Sequence, residues 1–446
     1  MKKLMTIALI ALLSLSLFAT GAQEEAKTTG KIPLSMWFWG THEGNQAALQ
    51  KVLVDKFNET HPDYELTIEY RPSVNSDIAV ALAAGEGPDI VYESSPSLSL
   101  VYIQSGKYAD LSEYSEKYGW KDKIIGPMYD SSSVNGHLYS VPMGLNYITM
   151  VYNENVLKEN GWTVPETIEE LEKIMDEAMA KGMYASVTGA KGWKPTNEDY
   201  STMFFTSFAG SEEMYKCLTG QQKWNSEWMR WAVDKSAEWY QKGYLCSDYL
   251  TIDWGEAAQL LVDGKAPFFF GPVKFIQNIG QYVPFAEADF IKMAPIPSGR
   301  DGVPVSYSLG ATGILAINAN TEHKDVCAEF LDLFMSLEFV SEIAPVWPGY
   351  WGVPLKNLSE VDTSKATGLG KNFLESLKNA CTEIDKGNFG YYCSSYIPPE
   401  TFDLVCNIDS VWLGEMTSTE LLDSMDKAFV REAAQNLVPP VPEPGK

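Results

Sequence analysis

Aromatic and carboxylate side chains follow three predicted strands in the first hundred residues of the chain. The stretch PLSMWFWGTHEG ends its apolar run on Trp39 and turns polar at once. Three polar residues come close behind that ring: Thr41, His42 and Glu43. Glu69 closes a second predicted strand, and Glu93 closes a third. Flat rings stack on an apolar ligand face and carboxylates accept hydrogen bonds at its edge, so this pattern is typical of a site for a polar organic molecule.

Carboxylates at such a site could also cleave a bond, and glycoside hydrolysis needs two of them across the scissile bond. However, no nucleophile elbow or HExxH motif appears, and the four histidines are scattered. The cysteines show no CxxC metal spacing. We therefore predict that the protein is not an enzyme and that it carries no metal or cofactor.

An alternation of strands and helices positions these groups. PLSMWFW, YELTIEYRP and PDIVYE read as strands, while AALQKVLVDKFNETHP and SDIAVALAAG have the apolar spacing of helices. Strand–helix–strand units predict an α/β fold with a parallel sheet and right-handed crossovers. Ligands of such sheets lie beyond the carboxyl ends of the strands. This rule places residues 40–44, the residues after Glu69, and residues 93–95 along one rim.

Length and charge limit the class of protein. The chain has 446 residues, of which 12% are aromatic, and a formal net charge of −25. This length predicts two or three domains. A surface this acidic repels phosphate backbones and anionic membranes, so we predict no nucleic-acid partner.

The first 22 residues have the features of a signal peptide. Lys2 and Lys3 precede an apolar run, and small residues follow at a predicted cleavage site. We therefore expect an extracytoplasmic or periplasmic location. No cysteine precedes Cys217, so the thiol of a lipoprotein anchor is missing. Residues 23–30 read as a flexible leader and residues 438–446 as a Pro-rich tail.

Six cysteines in an exported chain permit disulfide bridges, with 15 possible pairings. We expect one or two bridges. Cys327 lies on the apolar side of a predicted helix, so a buried free thiol is the alternative for this residue.

Four segments carry a family resemblance when they are read in chain order. They are GEGPDIVYESSPSLSLVYIQSGKYADL (85–111), the run from Gly136 to Met175, DGKAPFFFGP, and ILAINANTEHKDVCAEFLDLFMS. Together they resemble the extracellular solute-binding proteins of ABC importers, in the sugar-binding cluster that includes the maltose-binding protein. The resemblance covers nearly all of the mature chain.

The resemblance implies an α/β fold of two lobes, each a mostly parallel sheet flanked by helices, joined at a hinge of several chain crossings. The crossings would fall near residues 144–147, 308–312 and 350–354. Lobe 1 would comprise residues 31–144 and 311–350, and lobe 2 residues 145–308 and 355–437. The implied function is high-affinity capture of an extracytoplasmic carbohydrate by cleft closure, followed by delivery to an ABC-type permease. The implied partners are the carbohydrate and the membrane permease subunits, and the protein would be a monomer.

The resemblance also implies ligand contacts at the cleft. The positions that it indicates are Trp39, Thr41, His42, Glu43, Glu69, Glu93, Asn146, Glu198, Tyr200 and Trp254. The family's stacking tryptophan after Gly-Pro is Val273 here. The candidates to replace that ring are Phe275, Tyr350, Trp351 and Phe402.

Three alternatives remain open on the sequence. The ligand could be another polar solute such as a peptide or a polyamine, and the partner could be a sensor kinase in place of a permease. The third alternative is a secreted glycoside hydrolase.

Overall fold

The computed structural model describes residues 30–191 and 197–445. The predicted signal peptide and all but the last residue of the leader lie outside the described residues. Among the described residues, no helix combines the length and the apolar character that crossing a membrane requires.

Two main sheets form the centres of the two lobes. The first has the order β2-β1-β3-β12-β6 and the second the order β10-β7-β9-β8. Two small sheets pair β11 with β13 and β4 with β5. The strands are β1 (Ile32–Trp39), β2 (Tyr64–Arg71), β3 (Ile90–Glu93), β4 (Ser133–Val134), β5 (His137–Leu138), β6 (Val141–Pro142), β7 (Ile148–Asn153), β8 (Ser186–Val187), β9 (Phe268–Pro272), β10 (Ile291–Ala294), β11 (Tyr307–Leu309), β12 (Ile314–Ile317) and β13 (Phe389–Tyr391).

Helices flank these sheets. Short π-helical turns at Gln50–Val54 and Phe204–Ala209 and 3-10 turns at Val273–Gln281, Phe285–Glu287 and Leu358–Glu360 join or extend them. The α-helices are α1 (Glu43–Leu49), α2 (Asp55–Thr60), α3 (Val74–Ala84), α4 (Pro96–Gln104), α5 (Ser112–Tyr118), α6 (Trp120–Lys123), α7 (Gly126–Ser131), α8 (Glu154–Asn160), α9 (Ile168–Ala180), α10 (Asn197–Met203), α11 (Ser211–Leu218), α12 (Glu227–Lys242), α13 (Trp254–Val262), α14 (Lys324–Phe334), α15 (Leu337–Ile343), α16 (Gly368–Asp385), α17 (Cys393–Tyr396), α18 (Pro399–Val405), α19 (Asp409–Trp412) and α20 (Ser418–Ala434).

The predicted βαβ start of the chain is confirmed. β1 pairs in parallel with both β2 and β3. The helical stripe between β1 and β2 buries Leu49, Leu53 and Phe57. The helix after β2 ends at Gly85, whose positive φ of 83° provides a left-handed cap.

The expectation of a mostly parallel sheet in each lobe is wrong for lobe 2 and only half right for lobe 1. β12 runs antiparallel to β3 and β6, and β7 runs antiparallel to β9 and β10. The cause is the direction of the chain at the crossings. β3 ends toward the other lobe at Glu93, whereas β12 begins there at Ile314, which lies opposite Glu93 in the register. A strand that enters a lobe from the hinge must oppose the strands that end at the hinge.

The three predicted crossings lie side by side and are hydrogen-bonded to one another. Leu145 N donates to Gly352 O at 2.8 Å, and Asn146 N donates to Gly310 O at 2.8 Å. Thr312 N donates to Gly144 O at 2.9 Å. These bonds between backbones set the two sheets relative to each other.

The prediction of one or two disulfide bridges is wrong for the described residues. Buried free thiols occur at Cys217, Cys246, Cys327, Cys381 and Cys393. Each packs as a small hydrophobic side chain in its own part of the core. Burial raises the pKa of the Cys217 and Cys327 thiols to about 12, so they stay protonated. The predicted alternative for Cys327 is confirmed.

Glu93 is a buried carboxyl at the end of β3, with 2% of its surface exposed. Ser94 N and Ser94 Oγ donate to its Oε1 at 2.7 and 3.0 Å. Burial raises the pKa of Glu93 to about 7, and the two bonds from Ser94 offset part of that rise. Burial raises the pKa of the Tyr102 and Tyr108 hydroxyls, and the charge of Glu93 raises both further.

A pH dependence of stability follows from Glu93. Between its unfolded pKa near 4.5 and its folded pKa near 7, the folded state binds more protons, so its contribution to the free energy of unfolding falls as the pH rises. Glu93→Gln keeps the acceptor for Ser94 and removes the charge. We expect the free energy of unfolding of the variant, relative to that of the wild type, to increase as the pH rises from 5 to 8, by on the order of 3 kcal/mol at most. Urea unfolding of both proteins at pH 5 and at pH 8 measures this change. The same difference between variant and wild type at the two pH values would contradict the prediction.

A second prediction concerns the crossing at Gly144. A Cβ atom there would collide with the Tyr350 carbonyl oxygen and lie 2.7 Å from Thr312 Oγ1. We expect Gly144→Ala to lower the free energy of unfolding by roughly 1–3 kcal/mol, because the crossing must separate. The control is Gly126→Ala, whose Cβ would lie 4.0 Å from Asp385 Oδ1. Urea unfolding compares the two, and equal stabilities would show that the crossing has room.

Candidate functional site

A cavity of about 1020 Å³ lies between the two sheets. Lobe 1 contributes the ends of its strands and the starts of the following helices: Trp39, Gly40, Thr41, His42, Pro72, Ser73, Val74, Asn75, Ser76, Tyr92, Ser94, Ser95, Ser97 and Leu98. Lobe 2 and the crossings contribute Gly189, Lys191, Glu198, Asp253, Trp254, Lys274, Gln277, Asn278, Ala311, Thr312, Tyr350, Ser394, Ile397, Pro399 and Phe402. The volume is at the upper end of the roughly 300–1,000 Å³ usual for ligand pockets.

Trp39 reaches the cavity because side chains alternate along β1. Phe38 points into the core of lobe 1, where its ring stacks at 5.7 Å on Trp351. Trp39, the next residue, is half-buried and packs against Tyr350 with ring centroids 5.4 Å apart. Tyr350 in turn stacks on Trp347 at 5.2 Å. The aromatic end of β1 therefore serves both the core and the cavity wall.

Trp254 is held at the opposite wall by a helix start. Asp253 Oδ1 accepts from Glu256 N at 2.9 Å and Glu256 Oε2 accepts from Asp253 N at 2.8 Å, which is a reciprocal capping box. Trp254 is the first residue of α13 and is thereby fixed in place. The edge of its ring meets buried Phe275, with centroids 6.0 Å apart at 80°. Phe275 itself stacks on Phe269 at 3.5 Å.

A pair of neighbouring acids lies in the lobe 2 wall. Glu198 lines the cavity, and its Oε2 accepts from Ser394 N at 3.0 Å. Asp199 is buried behind it, and its Oδ1 accepts from Tyr392 Oη at 2.5 Å. Burial raises the pKa of both carboxyls, repulsion from Asp199 raises that of Glu198 further, and Lys274 opposes both rises. Two such groups resist carrying two charges at once.

The lobe 1 wall is rich in hydroxyl and amide groups. Asn75 Nδ2 donates to Ser94 Oγ at 2.9 Å, and Ser95 Oγ accepts from Leu98 N as the cap of α4. Ser97 Oγ donates across the cavity to Ile397 O at 3.1 Å. The two walls therefore touch directly at this point.

Half of the predicted contact residues line this cavity. The structure brings together Trp39, Thr41, His42, Glu198, Trp254 and Tyr350.

The other predicted residues lie outside the lining. Glu43 is exposed at the start of α1. Glu69 pairs with Arg71 at 2.9 Å, and the Arg71 guanidinium covers the Trp37 ring at 3.5 Å. Glu93 is buried behind Ser94 and presents that residue to the cavity instead.

Three of them belong to the core. Asn146 is buried in the first crossing. Tyr200 is 2% exposed, and the edge of its ring meets Trp412 at 5.4 Å. Phe275 is fully buried and supports Trp254 from behind. These positions show that a motif places a residue near a cleft more reliably than it sets the direction of its side chain.

Sequence reasoning missed Lys274, Gln277 and Asn278. The Gly-Pro segment was the signal: Val273, at the position of the family's tryptophan, is buried in the core, and Lys274 after it faces the cavity. Ser394 and Ile397 come from a segment without a motif, and tertiary contacts alone bring them to the cavity.

The arrangement can clasp a flat polar molecule. Rings from opposite walls offer apolar faces, while hydroxyl, amide, carboxyl and ammonium groups surround them. Such groups bind sugar-like hydroxyls and C–H faces together.

Comparison with known proteins matches residues 39–338, more than half of the chain, to the family described as bacterial extracellular solute-binding protein. The maltotriose-binding protein of Pyrococcus abyssi is 23% identical over 327 residues, which cover 70% of this chain and 64% of that protein. The sn-glycerol-3-phosphate-binding periplasmic protein of Salmonella typhimurium is 25% identical over 350 residues, or 74% of this chain and 75% of that one.

A solved structure of a chitin oligosaccharide binding protein superimposes with a TM-score of 0.76 at 18% identity, covering 91% of this chain and 99% of that chain. This similarity shows the two-lobe periplasmic-binding-protein fold. With the family match, it identifies the chain as a member of the bacterial extracellular solute-binding protein family.

Proposed function

We propose that the protein captures a carbohydrate outside the cytoplasm and delivers it to an ABC-type permease. One observation carries the proposal: Trp39 and Trp254 present rings from opposite lobes to a single cavity of about 1020 Å³. The relatives whose names specify maltotriose and chitin oligosaccharide support a carbohydrate ligand.

The chemistry of the walls supports the same ligand class. A sugar ring has axial C–H bonds on its faces and hydroxyls on its rim, so it needs flat rings beside planar hydrogen-bonding groups. Gln277, Asn278 and Glu198 line the cavity together with Trp254 on the lobe 2 side. Serines and Asn75 supply hydroxyl and amide groups on the lobe 1 side.

Closure of the cleft is the proposed mechanism. A ligand that contacts both lobes favours the state in which they approach, and so shifts an open–closed equilibrium. The crossings provide the pivot, because few backbone segments join the lobes there. Trp347 Nε1 donates to Gln277 Oε1 at 2.9 Å next to this pivot and ties lobe 1 to a residue of the lobe 2 wall.

The lobe boundaries remain part of the proposal. We assign residues 31–144 and 311–350 to lobe 1, and residues 145–308 and 355–437 to lobe 2. Membership of the strands in the two main sheets supports this division. The C-terminal segment packs on β13, where Tyr391 Oη donates to Pro442 O at 2.6 Å.

We propose binding without catalysis. The carboxyls that line the cavity are Glu198 and Asp253. Asp253 is engaged as the cap of α13, so it is poorly suited to act as the second carboxylate of a glycoside hydrolase. A polyamine would need several exposed carboxylates, which this wall lacks among the described residues. A peptide remains the other polar solute to include in a screen.

The proposed partners are the membrane permease subunits of an importer, with a sensor kinase as the alternative. We also propose that the protein is a monomer and that residues 1–22 are removed as a signal peptide.

Thermal shift with mono- and oligosaccharides tests the binding function. A ligand at a hundredfold excess over its Kd adds roughly 2.7 kcal/mol to the free energy of unfolding. We expect at least one carbohydrate to stabilise the protein without being converted. Hydrolysis of any glycoside in the panel would indicate an enzyme, and stabilisation by peptides alone would indicate another solute class.

The two tryptophans provide the test of the site. We expect Trp39→Ala and Trp254→Ala each to weaken ligand binding by about 1.5–3 kcal/mol, because the apolar surface of one ring is no longer buried against the ligand. This loss raises Kd roughly ten- to hundredfold. Trp162→Ala is the matched control, because this half-buried ring lies outside the cavity and bonds Glu177. Isothermal titration calorimetry measures the constants. Unchanged binding by both cavity variants would mean that the ligand lies elsewhere.

A further inference from the structure

Lys274 is a cation in the cavity wall. It follows β9 within the 3-10 turn Val273–Gln281 and is partly buried. Its Nζ lies 5.7 Å from the centroid of the Trp254 ring, within the range of a cation–π contact. No carboxylate oxygen of the described residues lies within 4.0 Å of Lys274 Nζ, which is the limit for an ion pair. Lys274 therefore faces the cavity without a direct counter-ion.

The carboxyls near Lys274 already have other partners. Asp253 caps α13 through Glu256 N. Glu198 accepts from Ser394 N, and Asp199 accepts from Tyr392 Oη. These two acids are adjacent and buried, which raises the pKa of each, and the charge of Lys274 opposes both rises.

The second lysine of the wall is placed differently. Lys191 Nζ lies 3.4 Å from Glu256 Oε2. Glu256 therefore partly neutralises the charge of Lys191, whereas the ammonium group of Lys274 lies beside the Trp254 ring without such a partner.

The charge of the cavity contrasts with the charge of the chain. The whole chain has 59 acidic and 34 basic residues. Among the described residues, the cavity lining includes two lysines and two acids, and neither acid comes from the lobe 1 wall. A cavity that is less acidic than the protein around it is suited to a ligand with negative charge.

We propose that the ligand is an acidic carbohydrate whose anionic substituent binds Lys274 while its ring stacks on Trp254. This inference rests on the proposed function and specifies its substrate class. A uronic acid carboxylate and a sugar phosphate share the required chemistry, a compact group of anionic oxygens. An ammonium is a compact, strongly hydrated point charge. It can bind either anionic group without the planar match that a guanidinium prefers. Glu198 lines the same wall, and its carboxyl group can hydrogen-bond to a neighbouring hydroxyl.

The test compares matched ligands. One arm uses a glucuronate-bearing oligosaccharide and the same oligosaccharide with its carboxyl reduced to an alcohol. The other arm uses glucose 6-phosphate and glucose. In at least one arm we expect the charged member to bind the wild type roughly ten- to hundredfold more tightly, the range of a hydrogen bond to a charged group. Which arm shows this preference distinguishes the carboxylate from the phosphate.

Variants assign the preference to its residue. Lys274→Met should raise the Kd of the charged member roughly ten- to hundredfold and that of the neutral member less than about threefold. Lys274→Arg keeps the charge and should retain the preference. Lys158→Met is the control, because this exposed lysine pairs with Glu154 on the surface of lobe 2.

Two results overturn the inference. Equal binding of charged and neutral members by the wild type refutes it while the proposed carbohydrate function stands. The same holds if Lys274→Met weakens both members equally, because Lys274 would then contribute packing alone. If no carbohydrate of any kind stabilises the protein, the inference fails together with the proposed function.

Discussion

Thr312 connects the two other crossings of the hinge, and the cavity depends on that junction. Its amide donates to Gly144 O at 2.9 Å and its hydroxyl donates to Tyr350 O at 2.7 Å. The same Tyr350 also lines the cavity. The segments approach so closely that only glycine fits at residue 144. A junction of backbone hydrogen bonds with only the small Thr312 side chain between its segments is compact enough to act as a pivot and rigid enough to orient the walls beside it.

Each wall then uses buried aromatic rings to support the ring it exposes. Trp39 packs against Tyr350 and Trp347, and Trp254 packs against Phe275. Rings fixed from behind have little rotamer freedom to lose when a ligand arrives, which favours binding. This explains why the apolar stretch at β1 ends in aromatics: one ring completes the core, and the next forms the wall.

Charge is distributed unevenly between the two walls. Lobe 1 offers hydroxyls, amides and the imidazole of His42, whereas the carboxyl and ammonium groups of the described lining belong to lobe 2: Glu198, Asp253, Lys191 and Lys274. Ionised groups are costly to desolvate, so their hydrogen-bond partners must be in place before a ligand excludes water. Ser394 and Tyr392 provide such partners for the acid pair from a segment far away in the chain. The lobe 2 wall thus provides its two acids with hydrogen-bond partners before a ligand arrives.

The amino-acid sequence by itself determined the α/β class, the helical stripe at Leu49 and Phe57, the crossing segments and the family, because these follow from local periodicity and from motifs that act over short distances. It also indicated Trp39, which stands where a strand meets a loop, and, through the family resemblance, Trp254. Only the tertiary structure decided that Tyr200 and Phe275 face the core, that β12 and β7 run against their neighbours, and that Lys274 enters the cavity where Val273 does not. Side-chain direction at the end of an element depends on what packs behind it, and strand direction depends on which lobe the chain comes from. Both are set by contacts between residues far apart in the chain.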